Sequence, residues 1–203
     1  MTDSDCTGRW GSDSGGERRS HYRVSDRAIM ELTRLLPEQW EDRQTALAAP
    51  RVDAFALGSE CQALREQTAV LRRHAARESE AFARLFDSLE RRFDRMVSVL
   101  MLHELVPESG EPLTVDISAE GCGFAWPEPL PEGQGLELRL VFPSTALGLH
   151  TLAWVAHCAQ EPDGGCWIGV RFEFCRDSDR ELLVHHVLQR EAALLRERQQ
   201  RPD

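Results

Sequence analysis

The sequence predicts an α+β protein: a small antiparallel β-barrel, a long coiled-coil helix inserted ahead of it, and a C-terminal helix. Three observations carry that expectation. Residues 59–105 contain neither Gly nor Pro and keep a helical repeat of apolar residues throughout. After Leu105 the pattern changes to short alternating runs divided by turns that contain Pro and Gly. From Asp177 or Ser178, a plausible N-cap, a helical pattern with Leu182, Leu183, Val187, Leu188 and Leu194 returns and runs into a charged tail.

In chain order, residues 1–17 are polar and rich in Ser, Asp and Gly, the composition of a disordered terminus. Residues 18–25 form an arginine arm, the densest basic cluster in the chain. Residues 26–106 read as a helical insert. Within it, Ile29, Leu32, Leu35 and Leu36 mark a short amphipathic helix ending near Pro37 or Trp40. Gly58 fences the long helix on one side and Pro107 on the other, and Ser59 with Gln62 fits a capping box at its start; alternatively Val52, Phe55 and Ala56 begin the helix early, with Gly58 inside it. A heptad seam of Leu57, Leu64, Leu71, Phe82, Leu85 and Leu89 marks a helix that meets copies of itself. Unbroken, it would be roughly 70 Å long, more than a chain of this size needs for its own interior. Residues 107–176 carry five strand-like runs, Pro112–Ser118, Gly121–Trp126, Gly135–Phe142, Leu149–Ala159 and Cys166–Phe174, which suit a small barrel. Residues 177–203 form the last helix and tail.

Composition narrows the function. A chain of 203 residues with 41% hydrophobic and 29% charged residues is of ordinary soluble type. A net charge of -10 and a pI near 5.2 argue against general DNA or RNA binding, so any anion site must be local. All 24 basic residues are Arg, which leaves no lysine chemistry. No signal peptide and no run of about 18 apolar residues is present, so a cytoplasmic protein without membrane insertion is expected. The six cysteines show no zinc spacing and suit a reducing compartment; Cys158 and Cys166 could face one another on neighbouring strands.

Enzyme motifs are lacking. His103-Glu104 has no second histidine in the zincin position, and the adjacent His185 and His186 point to different faces of a helix. Ser118 is not in a nucleophile elbow. Neither a cofactor nor a metal is implied. The informative pair is Arg19-Ser20-His21-Tyr22-Arg23 and Asp116-Ile117-Ser118-Ala119-Glu120-Gly121. Two guanidinium groups four residues apart, with Arg18 beside them, can fork onto phosphate or onto the O6 and N7 edge of guanine. Asp116 can accept from the N1 and N2 donors of guanine. Ser118 adds a hydroxyl, and Gly121 keeps the backbone approachable. Taken alone, Asp116 and Ser118 could equally cap a tight turn.

With these residues the chain resembles the PilZ domain, the bacterial cyclic di-GMP receptor module with RxxxR in an N-terminal arm and [D/N]xSxxG on the barrel. Trp167-Ile168-Gly169-Val170-Arg171-Phe172 followed by Leu182-Leu183 is similar to that family's closing strand and helix. About ninety residues separate Arg23 from Asp116, far more than in a compact PilZ domain. That insertion resembles an atypical, tetrameric PilZ subtype built on heptad helices. The resemblance implies a non-enzymatic receptor that binds cyclic di-GMP through Arg18, Arg19, Arg23, Asp116, Ser118 and Gly121. It also implies a homotetramer and a downstream protein partner. The alternative is a nucleotide-independent PilZ-like scaffold for motility or secretion machinery.

Overall fold

The computed structural model describes residues 23–50, 52–105, 111–162 and 164–199. Six antiparallel strands close into a barrel in the order β1-β2-β3-β6-β5-β4. They are β1 (Val24–Leu35), β2 (Leu113–Ile117), β3 (Gly121–Trp126), β4 (Gly135–Phe142), β5 (Leu147–Gln160) and β6 (Cys166–Cys175). The inward row is apolar, and Phe124, Leu136, Leu138, Leu140, Phe142, Leu149 and Ile168 are fully buried. Full closure removes the exposed sheet edges that an open sheet of this size would leave.

The strand that closes the barrel is the one the sequence disguises. The stretch expected to be a short amphipathic helix is β1. Its first half pairs with β2, from Val24↔Ile117 to Ala28↔Leu113, and its second half with β4, from Ile29↔Val141 to Leu35↔Gly135. Ile29, Leu32, Leu35 and Leu36 happen to sit at helical spacing. The residues that settle the matter are Val24, Ala28 and Met30, which alternate inward with Asp26, a buried carboxylate that hides the period of two. The barrel therefore begins far ahead of the helical insert.

The insert is three helices. Helix α1 (Trp40–Ala48) follows a 3-10 turn at Pro37–Gln39 and packs on the outer face of the barrel. There Leu47 packs with Leu35 and Leu152, and Trp40 stacks on Trp154 at 4.0 Å between ring centroids. The expected single long helix is instead a hairpin of α2 (Ala54–Glu78) and α3 (Glu80–Glu104). Ser79 is extended, at φ -149 and ψ 109, and caps α3 by accepting from the Phe82 amide. No Gly or Pro is needed for the break, because a serine N-cap followed by Glu80 begins a new helix as well. The helix also starts earlier than the expected capping box. Asp53 is the N-cap of α2, Gly58 lies inside it against Met101 and Val97, and Ser59 and Gln62 point to other partners.

Charge joins the two helices. Arg65 pairs with Asp94, and Arg72 with Glu90 at 2.5 Å and Asp87 at 3.8 Å. The base of the hairpin docks on the outside of the barrel through Phe55, Val97, Met101, Leu105 and Val141. Arg139 of β4 reaches the Glu104 carbonyl at 2.8 Å and Glu31 at 3.1 Å, and it lies over the Phe55 ring. Helix α4 (Asp177–Gln199) packs Leu182, Leu183 and Val187 into the barrel core and also touches α2. The residues expected to drive assembly, Leu57, Leu64, Leu71, Phe82, Leu85 and Leu89, are all 41% exposed or more in the single chain. No helix among the described residues is long and apolar enough to cross a membrane.

Candidate nucleotide site on the barrel

Barrel closure brings together what about ninety residues of sequence separate. Ser25 pairs with Asp116 and Val24 with Ile117, so Arg23, one residue ahead of β1, stands at the strand end beside Ser118. Its charge reaches the Cys122 thiol there. Arg18 and Arg19 lie outside the described residues.

Cross-strand partners share a face of the sheet. The outer face at this end therefore runs from Ser25 through Asp116 to Gly123 and Gly169, with Gly121 and Arg171 as the next pair. Asp116 is half-buried, and no hydrogen bond or ion pair to its carboxylate is found among the described residues. Gly121, Gly123 and Gly169 give this face no side chains of their own, and the Trp167 indole lies over Gly123, with Asp116 and Arg171 at the border. Arg171 has a side chain 69% exposed, with Glu173 3.6 Å away. Arg180 of α4 donates to the Ala119 carbonyl at 3.5 Å, which puts a second guanidinium against the Asp116–Gly121 loop. Arg171 and Arg180 escaped the sequence reading. The available signal was the cross-strand pairing of β3 with β6, which needs the register.

Ser118 and Gly121 have structural employment of their own. Ser118 is 2% exposed, its hydroxyl donates to the Gly121 carbonyl at 3.1 Å, and the Glu120 amide donates to it at 3.4 Å. The Ser118 amide also donates to the Gly121 carbonyl, at 2.9 Å. The turn-capping alternative thus holds for Ser118. At Gly121 a Cβ would stand 2.1 Å from the Val170 carbonyl oxygen, and at Gly123 it would stand 3.0 Å from the Trp167 indole. Close strand packing accounts for Gly121, and the Trp167 indole for Gly123, before any ligand is considered. Asp116 and Arg23 are the motif residues left with groups facing outward.

The remaining chemistry is sparse. Burial raises the thiols of Cys122 and Cys175 to about 12 each. Cys61, Cys122, Cys158, Cys166 and Cys175 are free, and Cys158 lies opposite Ile168 rather than Cys166. No group of three or more His, Cys, Asp or Glu side chains is placed to hold a metal among the described residues. Grooves also lie on the hairpin, away from this face. One of about 470 Å3 runs between the start of α2 and the end of α3, past Leu57, Glu60, Leu100 and His103.

The arrangement is a closed six-stranded barrel with an arginine ahead of its first strand and an aspartate on the neighbouring strand. The PilZ domain family model matches residues 89–189, and the chain belongs to this family, a cyclic di-GMP receptor family whose domains are typically non-enzymatic binding modules. Among solved structures, the chain is similar to a pathogenic protein from Xanthomonas campestris described as a new tetrameric PilZ domain self-assembled via an unusual helical bundle. The two are 17% identical over 86% of this chain and 89% of that one, with a TM-score of 0.50. The Bacillus subtilis inhibitor of motility, MotI/DgrA, is 18% identical over 40% of this chain and 42% of that one, with a TM-score of 0.37. No curated protein matches the chain.

Proposed function

We propose that this protein is a cytoplasmic, non-enzymatic receptor for cyclic di-GMP that assembles through its helical hairpin and passes nucleotide binding to a protein partner. The observation that carries the reading is the register of β1 on β2, with Ser25 opposite Asp116, which brings Arg23 beside the strand that bears the aspartate. Arg19 and Arg23 supply forks for phosphate or guanine, Asp116 answers the guanine donors, and Arg18, Arg171 and Arg180 add charge that the acidic chain otherwise lacks. Ser118 and Gly121 hold the loop in shape.

Assembly follows from how the hairpin is built. Its helices meet through arginine–carboxylate pairs, while Leu64, Leu71, Phe82, Leu85, Phe93 and Met96 are each more than half exposed. Leu57 and Leu100 line one groove near the base, and Leu71 and Phe82 line another near the tip, so both helices contribute to the apolar surface. A second copy is the natural cover for a face of this extent. The tetramer described for the Xanthomonas protein supports an assembly of four.

A second reading, a scaffold that uses no nucleotide, is favoured by the structural roles of Ser118 and Gly121. Calorimetric titration with cyclic di-GMP separates the two. Arg23→Ala or Asp116→Ala should each cost about 2 to 5 kcal/mol of binding, more than a tenfold loss of affinity. Both residues are outward-facing, so the melting temperature should stay put. Wild-type affinity in both variants would overturn the receptor reading.

A further inference from the structure

We propose that the arm-bearing strand and the helical hairpin are coupled through a continuous polar chain, Gln62–Thr145–His186–Asp26, which crosses from α2 through the β4–β5 turn and α4 to β1. The Gln62 side-chain amide donates to the Thr145 carbonyl at 2.7 Å. The Thr145 hydroxyl lies 2.9 Å from His186 Nδ1, and His186 Nε2 stands 3.1 Å from the Asp26 carboxylate. Asp26 is three residues from Arg23 on the same stretch of chain. The chain of contacts therefore begins on the hairpin and ends at the root of the arm.

Its centre is unusual for a barrel. Asp26 occupies an inward position in a row whose other members are Val24, Ala28 and Met30, and its side chain is 5% exposed. An apolar residue would fill that place without the desolvation of a charge. The carboxylate instead takes the Arg27 amide at 2.8 Å and the Ser144 hydroxyl at 3.3 Å, with Arg190 of α4 at 3.5 Å. His186 Nε2 and Arg190 Nε are buried and make no hydrogen bond among the described residues, so these ion-pair contacts with Asp26 are what each has. Burial alone would raise the Asp26 carboxyl, but His186, the Arg27 amide and Arg190 together hold it below its ordinary value.

Such a cluster permits few positions. If α4 slides on the barrel or β1 shifts at its root, a buried charge and two buried donors lose their partners together, so small displacements are resisted and larger ones come as a switch. A second bond ties the same helix to the hairpin, because the Ser59 hydroxyl donates to Asp179 of α4 at 2.8 Å. His185, the neighbour of His186, turns to the other side and pairs with Glu66 of α2 at 2.7 Å. The adjacent histidines thus hold one helix to two different partners. By reciprocity, a change imposed at the arm is felt on α2, and a change imposed on α2 is felt at the root of the arm.

The polar chain stands without a ligand; its use as a signal route rests on the receptor reading, and amide hydrogen exchange on the full chain separates the two. Without nucleotide, Gln62→Ala and Thr145→Val each leave every direct contact of β1 in place. Each should nonetheless speed exchange at Ser25–Ala28 by about fivefold or more. Exchange in β1 unchanged in both variants, with the local rise on α2 present in Gln62→Ala, overturns the coupling. With cyclic di-GMP as probe, a wild type that binds should change its exchange at Ser59–Glu66, and Thr145→Val should bind without that change. Binding with no response at Ser59–Glu66 in the wild type overturns the signal route. A faster β1 in the two variants with no nucleotide binding at all supports the coupling and removes the receptor reading alone.

Discussion

Replacing Gly121 by Ala tests whether the motif glycine serves the sheet or the ligand. The added Cβ would stand 2.1 Å from the Val170 carbonyl oxygen, whereas ordinary contact begins at 3.4 Å, and the obstacle is backbone. No rotamer relieves it; β3 and β6 must separate by about 1 Å at the barrel rim. The movement strains two bonds beside it, from the Phe172 amide to the Glu120 carbonyl at 2.7 Å and from the Ser118 amide to the Gly121 carbonyl at 2.9 Å. At about 1 kcal/mol for each weakened bond, and about 1 to 3 for the overpacking, the cost is roughly 3 to 5 kcal/mol. In a chain of this size that lowers the melting temperature by roughly 6 to 20 °C. Differential scanning calorimetry on Gly121→Ala is the assay, with Gly133→Ala as control. Gly133 has nothing within 4 Å of the added Cβ but a φ of 79, so it should cost only about 1 to 2 kcal/mol. A Gly121→Ala protein that melts within about 2 °C of wild type would refute the argument and return that glycine to the ligand.

The assembly should fail in Leu64→Glu/Met96→Glu, since these side chains are 59% and 60% exposed in the single chain and their loss leaves the monomer fold intact. Light scattering should show a lower mass with an unchanged circular dichroism spectrum, and a wild type that is already monomeric at micromolar concentration contradicts the assembly. Acid should expose the two depressed carboxylates. Asp26 and Glu137 sit below their ordinary values of 3.8 and 4.5; His186, the Arg27 amide and Arg190 outweigh burial at Asp26, and the His150 hydrogen bond leads at Glu137. Their stabilisation is present above those values and is lost as pH falls below them. Melts taken from about pH 6 down to pH 3 should therefore fall more steeply in wild type than in Glu137→Gln, and equal slopes would contradict the assignment. Cys122 and Cys175, raised to about 12, should resist iodoacetamide in the native protein at pH 8 while Cys61 and Cys158 react. Mass spectrometry showing Cys122 labelled as fast as in the denatured chain would contradict that.

Local chemistry was legible in the sequence and long-range pairing was not. Strands β2 to β6 are bounded by Pro127, Gly133, Pro143, Pro162 and Gly165, and their alternation survives because their inward rows are apolar. Strand β1 breaks that rule with a buried Asp26, whose justification is His186 and Arg190 on the last helix, beyond the reach of any local pattern. The break at Ser79 was hidden for a related reason. The heptad runs through it without a Gly or Pro, and only the facing pairs of Arg65 with Asp94 and Arg72 with Glu90 show that the helix folds back. The site divides in the same way. Arg23 and Asp116 were recognisable by type and spacing, whereas their approach depends on β1 closing the barrel, and Arg171 and Arg180 arrive through register alone.

The central claim is that this barrel holds cyclic di-GMP between the arginine arm and Asp116, and isothermal titration of the wild-type chain tests it most directly. The account predicts saturable heat at micromolar nucleotide, with GMP at the same concentration giving little because a single phosphate and base engage half of the groups. No heat at tens of micromolar cyclic di-GMP, from a protein that is folded by calorimetry, would contradict it and leave the oligomeric scaffold in its place.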